Sequence, residues 1–137
     1  MIVVDASVLI AHFYANDSHH SQAEAALLQT TGHPLAASSI TLAEVLVGPT
    51  RIGKLDVARA ALKTLEVEEV PVRAGTAERL AGLRAATGLK LPDCCVLLAA
   101  QEVQADAVLT FDDQLSKRAQ ELGYGWDPKK SGPQLGA

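Results

Sequence analysis

At 137 residues, 48% hydrophobic and 20% charged, the chain fits one globular domain with a proper core and is too short for two ordinary ones. That composition excludes general disorder, and a net charge of −4 offers no support for a generic nucleic-acid binder. With aromatics at 4%, the core must rest on Ala, Leu and Val, and recognition of single-stranded nucleic acid by rows of stacking rings is disfavoured.

Ile2-Val3-Val4 reads as a buried strand closed by Asp5, followed by a short helix over 6–14. Asn16-Asp17-Ser18 breaks it, and Asp17 or Ser18 can cap a second helix whose apolar face is Ala23, Ala26 and Leu27. After the stop at Thr31-Gly32-His33-Pro34, Leu35-Ala36-Ala37 is a weak second strand. A helix starting at Ser39 or Thr41 carries Leu42, Val45 and Leu46 on one face, with Gly48-Pro49 as its expected end. Residues 53–65 form an amphipathic helix with Leu55, Ala58, Leu62 and Leu65 inward. Residues 67–72 alternate weakly as a strand, and 74–87 return to helical spacing through Ala77, Leu80, Ala81 and Leu83, stopped by Gly88.

Pro92-Asp93 opens a helix apolar on nearly every side from Cys94 to Ala100, which belongs at the centre of a fold. Ala107-Val108-Leu109 is another buried strand, and 112–122 a surface helix with Leu115, Ala119 and Leu122 inward. Residues 1–126 thus read as one domain, while 127–137 lack any pattern and read as a mobile tail. Strands alternating with helices imply parallel strands and right-handed crossovers, hence a three-layer α/β/α sandwich. Neighbouring Cys94 and Cys95 suit buried small hydrophobes in a reducing compartment rather than a disulfide. No basic leader precedes Asp5, and no apolar run nears the ~18 residues of a membrane span, so a cytoplasmic protein without membrane association is expected.

Four acids are set against apolar runs: Asp5, Glu44, Asp93 and Asp112. Removing water from an ionised carboxylate costs several kcal/mol or more, roughly, unless it is paired or binds a cation. None of the four has an interleaved Lys or Arg partner. In parallel sheets the functional crevice lies beyond the carboxyl ends of the strands, where Asp5 and Asp112 fall, and Glu44 and Asp93 in early helical turns can lean over the same edge. Hard oxygen ligands without histidine or thiolate suit Mg²⁺, with Mn²⁺ the alternative, better than zinc. Asp5 and Asp93 are the expected primary ligands, with Glu44 and Asp112 completing a second site or orienting water. Asp113 competes with Asp112 for the fourth place, and Ser7 and Thr110 are candidate supporting hydroxyls. Taken singly, Asp5, Asp93 and Asp112 could each be an ordinary helix cap.

These segments together resemble the PIN-domain ribonucleases, in short length and motifs the VapC-type toxins of toxin–antitoxin pairs. The likeness is carried by Ile2-Val3-Val4-Asp5-Ala6-Ser7-Val8-Leu9-Ile10, Thr41-Leu42-Ala43-Glu44-Val45-Leu46, Leu91-Pro92-Asp93 and Leu109-Thr110-Phe111-Asp112. It implies a parallel α/β/α fold and acidic site residues at Asp5, Glu44, Asp93 and Asp112. It also implies Mg²⁺-dependent endoribonuclease activity by metal-activated water, an RNA substrate, a homodimer, and inhibition by a small antitoxin protein. The chain departs from the pattern at Cys94-Cys95, where small apolar residues are usual.

Exposed Arg51, Lys54, Arg59 and Lys63 read as a solvated face, or as an RNA-backbone track; Lys117, Arg118, Lys129 and Lys130 are a weaker second track. His12, His19, His20 and His33 lack a carboxylate at ligand spacing; His19-His20, opening a helix in a polar loop, read as surface residues, and Tyr124 and Trp126 as core or dimer-edge residues. A dehalogenase-like phosphatase would need a second aspartate where Ser7 stands. The competing reading without catalysis is a PIN-like module that only binds an antitoxin-type partner.

Overall fold

Three short apolar runs and the mixed segment Val67-Glu68-Glu69-Val70 pair into one all-parallel sheet in the computed structural model, which describes residues 1–126. The expected tail, 127–137, lies outside the described residues. The strands are β1 (Ile2–Val4), β2 (Leu35–Ser38), β3 (Val67–Val70) and β4 (Ala107–Leu109), in the order β3-β2-β1-β4. The helices α1 (Ala6–Phe13) and α2 (His20–Gln29) join β1 to β2, and α3 (Ser39–Arg51) and α4 (Leu55–Thr64) join β2 to β3. α5 (Thr76–Thr87) and α6 (Leu91–Glu102) lead to β4, and α7 (Asp113–Glu121) follows it.

Strand alternation divides the core in two. Ile2, Val4, Leu35, Ala37, Ala107 and Leu109 face a cluster with α1 to α4, built on Val8, Leu9, Ala23, Leu27, Leu42, Val45 and Leu62. Val3, Ala36, Val70 and Val108 face the other, with Cys94, Val96 and Leu97 of α6 and Leu115 and Ala119 of α7. The result is the three-layer α/β/α sandwich that the pattern predicts. α6 is buried at every position from Cys94 to Ala100, which is why its sequence shows no polar face, and both thiols are free. Leu97 is fully buried, so Leu97→Ala is expected to cost roughly 2–5 kcal/mol, read by chemical denaturation.

Four local expectations fail for identifiable reasons. α3 runs through Gly48-Pro49 to Arg51. A proline ring crowds the Cβ of the preceding residue, and Gly48 has none; a Cβ there would also sit 3.0 Å from the Tyr14 hydroxyl. The Pro49 carbonyl then closes the helix by accepting from the amides of Ile52 and Lys54. On α5, Leu80 and Leu83 are half-buried, but Ala77 and Ala81 are exposed, because α5 forms an outer layer on α6 and only a narrow stripe meets the core. Gly88 does end α5, in the left-handed conformation at φ 72°. α7 stops at Glu121, leaving Leu122 exposed. The second helix is capped by neither Asp17 nor Ser18; His19 stands at its start, and Asp17 accepts from the His19 amide instead. Among the described residues, no helix is long and apolar enough to cross a membrane.

Candidate active site

The chain reverses its direction of travel across the sheet between β1 and β4, since β2 and β3 lie on one side of β1 and β4 on the other. In open parallel sheets such a switch point leaves a crevice at the carboxyl ends of the strands. Asp5 leaves β1 there, and Thr110, Phe111 and Asp112 leave β4 beside it, with the Asp5 amide donating to the Leu109 carbonyl at 2.9 Å.

Asp5 is the buried member of the quartet, 7% exposed. It occupies the N-cap position of α1, yet its side chain makes no capping bond. Ser7 Oγ and Thr110 Oγ1 instead donate to its Oδ2, each at 2.8 Å. The same two hydroxyl oxygens accept the amides of Phe111 and Asp112, at 3.1 and 3.0 Å. Both hydroxyl protons are thereby committed to one oxygen, which suits an acceptor-only carboxylate. Oδ1 stays clear of that network. Ser7 and Thr110 are the supporting hydroxyls that the sequence singles out, and their bonds span the switch point.

Asp93 sits half-buried in the first turn of α6, behind Lys90 at the N-cap position. It is not a cap. Burial, then the charges of Asp5 and Asp112, push its carboxyl above the ordinary range, against a smaller opposing pull from Lys90. Glu44, on α3, is likewise raised, by loss of water around its carboxylate, then by Asp5 and Asp93. Its residue as a whole is exposed, so the like-charge push is the more telling part of that shift. Among the described residues, neither Glu44 nor Asp93 has a side-chain hydrogen bond or ion pair. Asp112 is exposed and does act as a cap, accepting the Leu115 amide at 2.8 Å on Oδ1. Its charge reaches Asp93, whereas Asp113, exposed in the first turn of α7, exerts no such effect.

The structure therefore gathers Asp5, Glu44, Asp93 and Asp112 within electrostatic reach on one edge. It also corrects the premise that all four are set in apolar surroundings: this holds for Asp5, partly for Asp93, and not for Glu44 or Asp112, whose helices turn their apolar faces elsewhere. Among the described residues, no three acidic, histidine or cysteine side chains stand close enough to make a ready-made ligand cage. Hard oxygen donors, mutual repulsion and an unengaged Asp5 Oδ1 fit a small divalent cation such as Mg²⁺.

Repulsion of this kind has a pH signature. In metal-free protein the raised groups bind protons in the folded state that the unfolded chain has not yet taken up. Their contribution to stability therefore rises as pH falls from neutral toward the ordinary carboxylate range. Glu44→Gln is expected to raise the melting temperature near neutral pH in chelator, and the gain should shrink as the pH is lowered through that window.

The basic candidates lie apart from the acids. Arg51 ends α3, seven residues and about 10 Å along the helix from Glu44. Lys54 borders one groove with Tyr14 and Pro49, and Arg59 and Lys63 border another with Leu46 and Glu69. They do not form one track. Arg118 is paired with Glu121, and Lys129 and Lys130 lie outside the described residues. His20 departs from expectation, since it is half-buried and its Nε2 lies 3.0 Å from Glu24. The sequence reading misses the pairing of His19 with Phe111, rings 5.4 Å apart and near parallel.

The PIN-domain family model matches residues 2–121. No curated protein matches the chain. Among solved structures, a toxin–antitoxin complex from Klebsiella pneumoniae is similar at TM-score 0.71 and 26% identity, over 93% of this chain and 98% of that one. The sarcin–ricin-loop-cleaving toxin VapC20 of Mycobacterium tuberculosis matches at TM-score 0.71 and 19% identity, over 86% and 95%. VapBC2 from Rickettsia felis, bound to a fragment of its promoter DNA, matches at 0.62 and 19%, over 87% and 93%.

Proposed function

The chain belongs to the PIN-domain family, and from that premise we propose that it is a Mg²⁺-dependent endoribonuclease, the toxin of a toxin–antitoxin pair. The observation that carries the reading is the Asp5 carboxylate, buried at the switch point, fixed through one oxygen by Ser7 and Thr110, with the charge of Asp5 felt by both Glu44 and Asp93. A module that only binds a partner has no need for such an arrangement. The Klebsiella complex supports an antitoxin as partner, and VapC20 supports a cellular RNA as substrate.

Asp5 and Asp93 would hold the cation, with Glu44 and Asp112 completing a second position or orienting water. When bound, Mg²⁺ supplies neutralisation of phosphodiester charge and acidification of water at neutral pH. The protein's own part is to keep Asp5 immobile and to set Asp93 on the rigid first turn of α6, where the helix dipole favours a negative charge. The reading extends to a cytoplasmic homodimer, with Arg51, Lys54, Arg59 and Lys63 as RNA-backbone contacts made across more than one surface.

The test is cleavage of total cellular RNA by purified protein. Chelation should abolish cleavage, Mg²⁺ or Mn²⁺ should restore it, and Asp5→Ala should not be restorable. Cleavage that survives both chelation and Asp5→Ala would defeat the proposal.

A further inference from the structure

A groove of about 520 Å³ lies between α2 and the segment after β4. That is within the roughly 300–1,000 Å³ of small-ligand clefts. One wall is a single face of α2, bearing His19 at its start and Gln22 and Gln29 two turns apart. The other is Thr110, Phe111 and Trp126. His19 and Phe111 also line a second hollow with Ser7 and Asp112, so the groove adjoins the acid edge across this pair of rings.

We infer that this groove is a binding subsite for one nucleobase of the RNA, next to the scissile phosphate. The inference rests on the ribonuclease reading above and adds to it the place where sequence is read. Three features select a base. His19 and Phe111 stack on each other, rings 5.4 Å apart at 25°, which leaves their outer faces, with Trp126 as a third flat surface, to stack an unpaired base. Gln22 and Gln29 each offer a donor and an acceptor, the complement of a base edge. Among the described residues no Lys, Arg, Asp or Glu lines the groove, which suits the uncharged base better than the phosphate. The low aromatic content conceals this, because the rings come from distant parts of the chain.

The fold contains one tryptophan, and it lies in the groove, so its emission reports occupancy directly. The binding arm uses Asp5→Asn protein, which should not cut, titrated with a pool of short random single-stranded RNA. The RNA should quench Trp126 emission. Adding His19→Ala should weaken binding about tenfold, the scale of one lost base–aromatic stack. The cleavage arm uses protein with Asp5 intact and sequences the cut ends of the same pool. Gln22→Ala with Gln29→Ala should flatten the nucleotide preference at one position near the cut, with the total cutting rate changed far less. His19, Gln22 and Gln29 are exposed at the start of α2 or along it, and melting temperature checks that folding is unaffected. If His19→Ala leaves RNA affinity within twofold, and the double variant leaves the preference unchanged while the parent still cuts, the subsite is overturned and the nuclease stands. A groove reserved for a protein partner would give that same result. If the parent fails to cut with Mg²⁺ or Mn²⁺, the nuclease reading falls and the subsite with it.

Discussion

Asp93→Asn is expected to lower RNA cleavage by on the order of 10²–10³-fold, the scale on which one preorganised electrostatic group is lost, while the protein stays folded. The substitution keeps shape and volume and removes only charge. Asp93 makes no capping bond, and the N-cap position of α6 belongs to Lys90, so no helix cap is lost. The charge that disappears interacted favourably with the helix N-terminus, worth about 0.3–1 kcal/mol. It was also disfavoured by burial and then by the charges of Asp5 and Asp112, which together raise the carboxyl above its usual range. These two effects oppose each other, and little net change in melting temperature should result. Cleavage rate and melting temperature measured on the same preparation decide the matter. Full activity in Asp93→Asn would remove Asp93 from the site.

Ser7→Ala combined with Thr110→Val should impair the enzyme by another route, lowering activity about 10–100-fold, as is typical when the groups orienting a metal ligand are lost. Neither side chain is itself an expected ligand. Both donate to the same Asp5 oxygen, and both accept an amide from the chain leaving β4. Their removal leaves a buried carboxylate without donors and two amides without acceptors. Hydrogen bonds to charged groups contribute about 1.5–3 kcal/mol each, so stability should fall as well. Thr110→Ser keeps the hydroxyl and should retain most of the activity, which separates orientation of Asp5 from simple loss of packing. Undiminished activity in the double variant would show that the Asp5 carboxylate needs no such fixing.

Much of this architecture was legible because its signals are local. Three buried apolar runs each followed within three residues by an acid or a helix start place Asp5 and Asp112 beyond strand ends, and the all-round apolar run from Cys94 to Ala100 marks the central helix. Ser7 and Thr110 were readable as near neighbours of Asp5 and Asp112. Glu44 interrupts an apolar run, and α3 carries it off the face of Leu42 and Val45 toward solvent, as the helical spacing predicts. Burial was less legible. Ala77 and Ala81 look like core, but an outer helix resting on α6 buries only a narrow stripe. Pro49 reads as a stop, although the missing Cβ of Gly48 lets the helix pass. The pairing of His19 with Phe111 depends on how α2 docks beside β4, and no spacing along the chain encodes it.

Calorimetric titration with Mn²⁺ tests most directly whether the four acids act as one cation site. The parent should bind, Asp5→Asn and Asp93→Asn should lose binding, and Asp113→Asn should bind as the parent does. Equal binding by the parent and Asp5→Asn would contradict the site at its centre.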